Sequence, residues 1–287
     1  MNIKYSPLYA ESWNVAFRMK SEGSILSDKK TEFHIIPNSS KYWAADPMVF
    51  EFNGNIFIFA ELYDYKLCRG TIGYTLFNGS CFSAWKQVIV EEYHMSYPYV
   101  FCLDNEIYML PETSEAEQLI LYKAVDFPEK WEKVRIISDD VKWVDTTLLL
   151  RENGIIGFTK QLSEPRVDYM LTFDNEFNLL NKVTLSKESD KMRCGGRCFR
   201  YNDEMIRVCQ DCHEKYGGAL IFRFCNINSF AERANLTIRP DELCFNKRIL
   251  LDGMHTYTAL NSIEVIDIKT RRFNIRNFIR RVLNKMK

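Results

Sequence analysis

Two carboxylates bracket an otherwise apolar hairpin in the stretch WAADPMVFEFNGNIFIFAE, residues 43–61. Asp46 opens the first apolar run, and Glu61 closes the second run after an Asn-Gly turn. Two acids in one cleft can divide the work of acid and base, because a protonated carboxyl assists a leaving oxygen while an ionised one activates a nucleophile. A free hairpin gains nothing from acids at its open end. The pair therefore predicts a pocket that several such hairpins share.

The same hairpin pattern recurs along the chain at intervals of 48 to 58 residues. Its five copies begin at Asp46, Tyr97, Asp145, Gly195 and Gly253. Further short strand patterns follow the copies, so each unit carries about four strands. Four strands in a repeat of this length are typical of a β-propeller blade. The sequence therefore predicts an all-β protein that folds as a five-bladed β-propeller.

A strand pattern, WNVAFRM at 13–19, precedes the first copy. If this strand joins the last blade, it closes the ring and removes an exposed sheet edge. We therefore expect residues 1–268 to form the propeller domain, with 13–19 in its last blade.

A propeller brings the first residue of each innermost strand and the last residue of each second strand to the same mouth of the ring. In this set Asp46, Glu112 and Asp145 are the predicted catalytic acids, because burial and mutual repulsion can separate their pKa values. The alternative for each acid is a structural role in a turn or between blades. The residues predicted to bind sugar hydroxyls or a phosphate are Glu61, Tyr97, Arg197, Gln210, Asp211, Tyr216, His255 and Thr256.

Two stretches of the chain carry a resemblance to known families. The opening ADP with the following GNIFIF resembles the first blade of glycoside hydrolase family 43, which implies that Asp46 is a general base and that Asp145 and Glu112 are acid or pKa-tuning partners. Tyr97 stands where that family has an Asp in its second blade.

A longer resemblance spans residues 40–268. The stretches HMSYPYVFCLDNEIYMLPE, WVDTTLL and GMHTYTAL are similar to the N-terminal propeller domain of plant glucosamine inositolphosphorylceramide transferases. This resemblance implies a glycan-related role, although the recognised transferase domain of the plant proteins is a separate C-terminal one.

Four cysteines in the fourth copy, Cys194, Cys198, Cys209 and Cys212, with His213 beside them, offer a zinc interpretation. Their spacing fits a zinc site only loosely, and free thiols buried in paired strands are the better interpretation. We therefore predict neither a metal site nor a cofactor.

The C-terminal segment RRFNIRNFIRRVLNKMK, residues 271–287, contains seven basic residues and apolar residues at helical spacing. This pattern predicts a basic amphipathic helix over 269–287 that contacts an anionic membrane surface. Contact with a partner protein, or packing on the propeller, is the alternative.

The total charge is zero, with 38 basic and 38 acidic residues, but the bases are concentrated in that segment. The remainder is mildly acidic, which argues against nucleic acid as a partner. The first residues lack the apolar run of a secretory signal, and the nine cysteines suit reduced thiols. The expected location is the cytoplasm, with attachment at the inner face of the membrane.

Three functional hypotheses follow from these features. The first is a carbohydrate-active propeller that acts like a glycosyltransferase in surface-polysaccharide or glycolipid biosynthesis. The second is a glycoside hydrolase of the furanosidase or xylosidase kind. The third is a propeller that binds a glycan or serves as a scaffold without catalysis.

Overall fold

The computed structural model describes residues 9–22, 24–186, 192–201, 204–226, 229–247 and 251–273. These residues contain twenty-two β-strands in five antiparallel sheets, together with three short 3₁₀ helices, Lys20–Glu22, Ser114–Ala116 and Pro240–Glu242. The sheets form a ring of five blades. The predicted all-β, five-bladed propeller is confirmed.

Blades one to three are four-stranded sheets whose strands follow one another in chain order. Blade one contains β3 (Tyr42–Phe52), β4 (Asn55–Asp64), β5 (Arg69–Leu76) and β6 (Lys86–Ile89). Blade two contains β7 (Ser96–Leu103), β8 (Glu106–Glu112), β9 (Leu119–Asp126) and β10 (Lys130–Ser138). Blade three contains β11 (Trp143–Arg151), β12 (Gly154–Gln161), β13 (Asp168–Phe173) and β14 (Leu179–Ser186).

Blades four and five each have five strands because their innermost strand is broken in two. Blade four contains β15 (Met192–Cys194), β16 (Phe199–Tyr201), β17 (Glu204–Asp211), β18 (Ala219–Cys225) and β19 (Glu232–Ile238). Blade five contains β20 (Leu251–Gly253), β21 (Tyr257–Ala259), β22 (Ile263–Phe273), β1 (Tyr9–Met19) and β2 (His34–Ile35).

Blade five joins the two ends of the described chain. β1 pairs with β22 along its whole length, from Tyr9 opposite Phe273 to Met19 opposite Ile263. The segment 13–19, which the sequence assigned to the last blade, lies within β1. The ring is therefore closed by a strand from each end.

The predicted start of the C-terminal helix at residue 269 is wrong. Residues 269–273 continue β22, because β1 offers them backbone partners as far as Phe273. Residues 274–287, which carry the rest of the predicted helix, lie outside the described residues. No helix in the part of the chain that the structure describes has the length and apolar character needed to cross a bilayer.

The core fills the spaces between blades and the middle of the ring. Met48, Tyr97 and Leu148, from the innermost strands of blades one to three, belong to one buried apolar cluster. The Tyr97 hydroxyl is 2.7 Å from the hydroxyl of Thr147 in blade three, and it accepts a hydrogen bond of 2.7 Å from the backbone N–H of Gly196 beside blade four. The Tyr97 side chain thus connects three blades, and candidate site residues lie around it.

Glycine is required at position 196 because the chains of blades four and five approach closely there. Gly196 has a φ of 139°, and a Cβ at this position would lie 1.7 Å from the carbonyl oxygen of Tyr257. A side chain at this position would force the innermost strands of the last two blades apart.

Candidate functional site

The same backbone distortion occurs in the first half of the innermost strand in each of the first three blades. Asp46, Tyr97 and Asp145 have left-handed backbone angles, with φ of 52°, 46° and 52°. At each position the register between the first and second strands shifts, as in a β-bulge. Left-handed backbone is uncommon for residues other than glycine and is often found near functional sites, where a bulge redirects a side chain. The repeat inferred from sequence therefore corresponds to a repeated structural device.

The bulges help to bring four predicted acids, Asp46, Glu61, Glu112 and Asp145, to one mouth of the ring. Their side chains are at most 9% exposed. A fifth carboxylate, Asp267 on β22, lies fully buried among them and influences the ionisation of Asp46 and Glu61. The predicted cluster of acids exists, and it is more enclosed than an open cleft.

Arg193, on β15, is the main cationic partner in this cluster. Its Nε is 2.6 Å from Oδ2 of Asp145, its Nη2 is 3.1 Å from Oδ1 of the same residue, and Nη2 is 3.8 Å from Oε2 of Glu112. Gln210 also donates to Asp145, from Nε2 to Oδ2 at 2.8 Å. Burial, with the charges of Asp46 and Glu112, raises the pKa of Asp145 to about 7 although Arg193 opposes the shift.

Asp46 is held by groups from blade five. Its Oδ1 accepts a hydrogen bond from the hydroxyl of Thr256 at 2.9 Å and lies 3.6 Å from Nδ1 of His255. Its backbone N–H donates to Asp267 at 3.0 Å, and its Oδ2 accepts from the backbone N–H of Tyr97 at 3.3 Å. Burial raises the pKa of Asp46, the charge of His255 opposes that shift, and Asp267 adds to it.

His255 is a buried imidazole whose cationic form the neighbouring carboxylates favour. Its Nδ1 is 2.6 Å from Oδ2 of Asp267. Burial lowers the pKa of the imidazole, but the carboxylates of Asp267 and Asp46 outweigh burial and raise it overall. The ring stacks on Trp13 from β1, with centroids 3.9 Å apart and planes inclined by 19°. Stacking on an indole face also favours the cationic form of His255.

Glu61 has no cation within hydrogen-bond distance. Its Oε1 is buried without a hydrogen-bond partner among the described residues, and Nε2 of His94 lies 3.6 Å from it. Nδ1 of His94 accepts from the backbone N–H of Gly70 at 2.9 Å, so the neutral ring carries its proton on Nε2 and directs it toward Glu61. Burial, followed by the charges of Asp46, Glu112, Asp267 and Asp145, raises the pKa of Glu61 well above its ordinary value. Burial and the surrounding carboxylates therefore favour the protonated form of Glu61.

Aromatic rings line one side of the mouth. Tyr216 is 43% exposed and meets the rings of Trp13 and His255 edge to face, with centroids 6.1 and 5.1 Å away. The guanidinium of Arg193 lies over the ring of Tyr216, 5.6 Å from its centroid. A partly exposed aromatic ring beside hydrogen-bonding groups is a suitable surface for the apolar face of a sugar.

Several predicted binding residues occupy other places. Tyr97 is fully buried, and its hydroxyl is engaged by Thr147 and Gly196, so it supports the site from below. Thr256 is also fully buried and positions Asp46. The predicted position of Arg197 in the pocket is wrong, because its guanidinium donates to the carbonyl of Val100 and stacks on Tyr99 in blade two.

Asp211 is likewise outside the acid cluster. Its Oδ1 accepts from the backbone N–H of His213 at 2.9 Å and lies 2.7 Å from Nδ1 of the same residue. This bonding makes Asp211 a turn-forming residue. Gln210, one position earlier on the strand, points into the cluster instead, because successive side chains of a strand face opposite sides.

Four residues of the site were missed by the sequence reasoning: Trp13, His94, Arg193 and Asp267. His94 lies three positions before the start of the second copy, outside the hairpin that was compared. Arg193 lies two positions before the start assigned to the fourth copy, outside the segment that was compared.

Asp46, His255 and Asp267 form the described group that could hold a metal ion, since their ligand atoms lie within 4.8 Å of one another. The candidate ligand atoms already form hydrogen bonds with other groups. Nδ1 of His255 is bonded to Asp267, and Oδ1 of Asp267 accepts the backbone N–H groups of His255 and Thr256 at 2.9 and 3.0 Å. A metal here would require His255 to lose the proton that the carboxylates stabilise.

The family model described as "Glucosamine inositolphosphorylceramide transferase 1, N-terminal" matches residues 34–238. The chain belongs to this family. The matched residues cover blades one to four, so β1 and β20–β22, which supply Trp13, His255 and Asp267, lie outside the match. Membership of the family confirms the longer resemblance found in the sequence.

Proteins named glucosamine inositolphosphorylceramide transferase 1 are the similar curated relatives. The protein from Arabidopsis thaliana is 32% identical over 186 residues, which make up 60% of this chain and 24% of the relative. The protein from Oryza sativa subsp. indica is 29% identical over 188 residues, or 61% and 25% of the two chains. This chain therefore spans about a quarter of the length of the relatives that it matches.

Two α-L-arabinofuranosidases are among the solved structures that share the fold. The catalytic domain of the Coprinopsis cinerea GH62 α-L-arabinofuranosidase aligns with a TM-score of 0.62 at 10% identity, over 88% of this chain and 97% of that domain. The α-L-arabinofuranosidase of Podospora anserina, solved with cellotriose, aligns with a TM-score of 0.59 at 10% identity, over 83% and 95%. At this identity the comparison establishes the propeller fold alone.

Proposed function

We propose that this chain is a carbohydrate-active propeller that binds a glycan at its acidic mouth and takes part in glycosyl transfer. The observation that carries the proposal is Glu61, whose buried Oε1 has no hydrogen-bond partner among the described residues and whose surroundings favour its protonated form, in the same cluster as the hydrogen-bonded Asp46 and the Arg193-bound Asp145. A protonated carboxyl and an ionised carboxyl in one pocket can act as the acid and the base in a substitution at the anomeric carbon of a sugar.

The proposed chemistry assigns one role to each acid. Asp46 accepts the proton of an acceptor hydroxyl as the oxygen of that hydroxyl bonds to the anomeric carbon. Glu61 gives its proton to the departing oxygen, so charge balances across the step. Asp145, Glu112 and Arg193 form the electrostatic surroundings of the oxocarbenium-like charge that develops between these two events.

The comparisons support a carbohydrate substrate. The family is described by the name of a transferase whose named substrate contains inositol phosphate, and the fold neighbours are glycosidases. This chain covers about a quarter of the length of these relatives, so their activity is not carried over to it directly. We propose for it a role in surface-polysaccharide or glycolipid synthesis.

Two alternative functions, hydrolysis and glycan binding without catalysis, depend on which molecule can reach the carboxylates. If water replaces the acceptor hydroxyl, the same residues perform glycoside hydrolysis. If the enclosure of the acids by Arg193 and Tyr216 persists when a glycan binds, the protein is a binding or scaffold propeller. The nearly complete burial of Asp46 and Asp145 is the observation that favours this last function.

The test is the Asp46→Asn variant, which keeps the shape of the side chain and removes its basicity. Transfer from activated sugar donors to oligosaccharide acceptors should fall by about 10²–10⁴-fold, with folding unchanged by circular dichroism. Asp126→Asn is the control, since Asp126 is an exposed partner of Lys130 on the outer part of blade two. Turnover at the level of the control would reject the role of Asp46. Release of aryl glycosides without a donor would assign hydrolysis, and saturable glycan binding without turnover would assign a binding function.

The basic segment 271–287 supports a proposal about location. Its seven bases and helical apolar spacing suit attachment to an anionic membrane, and the cytoplasmic face offers such a surface. The acceptor or donor of the proposed reaction would then be drawn from that membrane.

A further inference from the structure

Tyr216 lies between the acidic mouth and solvent on the side of blade four. This residue is 43% exposed, whereas Asp46 and Asp145 are 4% and 2% exposed. The covered part of its ring lies against the guanidinium of Arg193, which binds Asp145. The ring also meets His255 edge to face, and Nδ1 of His255 is 3.6 Å from Asp46. One partly exposed ring therefore covers the partners of both acids.

The hydroxyl end of Tyr216 is directed toward the acids. Burial raises the pKa of this phenol well above its ordinary value, and the charges of Asp46, Asp145 and Glu61 add to the shift. The charge of Arg193 opposes it. The hydroxyl is thus within electrostatic reach of acids from blades one and three. In the described part of the chain it has no hydrogen-bond partner, so the ring contacts hold Tyr216 in place.

The loop that carries Tyr216, residues 212–218 between β17 and β18, is fixed at its C-terminal base. The backbone N–H of Met254 donates to the carbonyl of Gly217 at 2.8 Å. Gly217 has a φ of 64°, and a Cβ at this position would lie 3.0 Å from the ring of Trp13. Glycine adopts this backbone conformation without strain and lets the loop approach the indole. The base of the loop is therefore packed against blade five.

The tip of the loop, residues 213–216, is exposed and is held less firmly. Nζ of Lys215, on a side chain that is 43% exposed, lies 3.3 Å from Oδ1 of Asp252 in blade five. Asp252 also pairs with Arg271 at 3.0 Å, so it keeps a partner when Lys215 moves away. Segments with few buried contacts open at a low free energy. The tip can therefore move while the base stays in place.

We propose that Tyr216 is the gating residue of the acidic mouth. Its ring closes the mouth in this structure, and outward movement of the tip at 213–216 takes the ring away from Arg193 and opens a path to Asp46 and Asp145. A ligand that binds the open state better shifts the loop toward that state. The identification of this ligand as a glycan rests on the proposed function, whereas the gate itself does not.

The primary experiment labels the carboxyls of the folded full chain with a water-soluble carbodiimide and glycinamide, and peptide mass spectrometry measures the rate at each site. Asp46 and Asp145 should react slowly in the wild type. Tyr216→Ala should raise both rates by about 10-fold, because the ring contacts that hold the closed state are lost. Tyr65→Ala is the matched control, since Tyr65 follows β4 in blade one and is also 43% exposed. The control should react at the wild-type rates.

Two further variants separate the ring from the loop, and circular dichroism verifies that each variant is folded. Tyr216→Phe keeps the ring and should label like the wild type. Lys215→Met keeps the ring but removes the ion pair with Asp252, so both rates should lie between those of the wild type and Tyr216→Ala. Equal rates for the wild type and folded Tyr216→Ala, or fast labelling of Tyr216→Phe, would overturn the role of the ring. Wild-type rates in Lys215→Met would overturn movement of the loop.

The labelling assay requires no turnover, so the gate and the proposed function can fail separately. Faster labelling of Tyr216→Ala in a protein that transfers no sugar would support the gate and reject transfer. Normal transfer together with unchanged labelling of Tyr216→Ala would show that ligands reach the acids by another route, and it would reject the gate.

Discussion

Replacement of Glu61 by glutamine tests the electrostatic basis of the site. In the native state burial and four surrounding carboxylates raise the pKa of Glu61 and favour its protonated form. In the unfolded chain the same carboxyl ionises with an ordinary pKa, so unfolding at neutral pH releases one proton. The free energy of unfolding that Glu61 contributes is therefore greatest below its ordinary pKa and falls as the pH rises toward its raised native pKa.

The magnitude follows from the linkage relation. One proton released on unfolding lowers the free energy of unfolding by about 1.4 kcal/mol for each pH unit between the ordinary pKa of Glu61 and its raised native pKa. Glu61→Gln has nearly the same shape and no proton to release. The variant should therefore be more stable than the wild type at pH 7 and should lose this part of the pH dependence.

Urea unfolding of both proteins across this pH range measures the difference directly. Asp145, whose pKa is about 7, contributes a similar slope to both proteins and cancels in the comparison. Glu106→Gln is the control, since Glu106 is half exposed and pairs with Lys123 at the surface. Equal pH slopes for wild type and Glu61→Gln would refute the conclusion that the folded protein favours protonated Glu61. In a transfer assay Glu61→Gln should also lose activity toward donors that need a protonated leaving group.

Two further predictions concern the support and the attachment of the propeller. Tyr97→Phe removes the hydroxyl that accepts from Gly196 N–H and should lower the free energy of unfolding by about 1–3 kcal/mol, measured by urea titration; no loss would contradict its bridging role. A chain ending at residue 273 lacks five of the seven bases of 271–287, and its retention on anionic vesicles in sedimentation assays should fall steeply; retention equal to that of the full chain would contradict membrane attachment.

The repeat was the feature of the sequence that carried most of the prediction. Five copies of one hairpin were enough to obtain the blade number, the assignment of 13–19 to the last blade and the meeting of Asp46, Glu61, Glu112 and Asp145 at one mouth. These results depend on strand order and side-chain alternation, which a repeating pattern specifies well.

Two of the residues that the sequence comparison missed, Asp267 and Arg193, lie where the repeated segments no longer align residue by residue. In the fifth copy the offset of 207 residues sets Ile268 opposite Glu61, but the buried acid is Asp267, one position earlier. In a strand, a slip of one residue moves a side chain to the other face, so the comparison passed over the acid. Arg197 was chosen over Arg193 for a similar reason, because the innermost strand of blade four is interrupted between Cys194 and Phe199.

Ring closure by β1 has a consequence for how the protein acquires its site. Trp13, on the first described strand, stacks on His255 of the last blade. The two residues are 242 positions apart in the sequence. Contacts of such long sequence separation form slowly, because the entropy of closing a large loop must be overcome first. Until β1 pairs with β22, His255 would lack the indole ring on which it stacks. The complete surroundings of His255 are thus expected only in the closed ring.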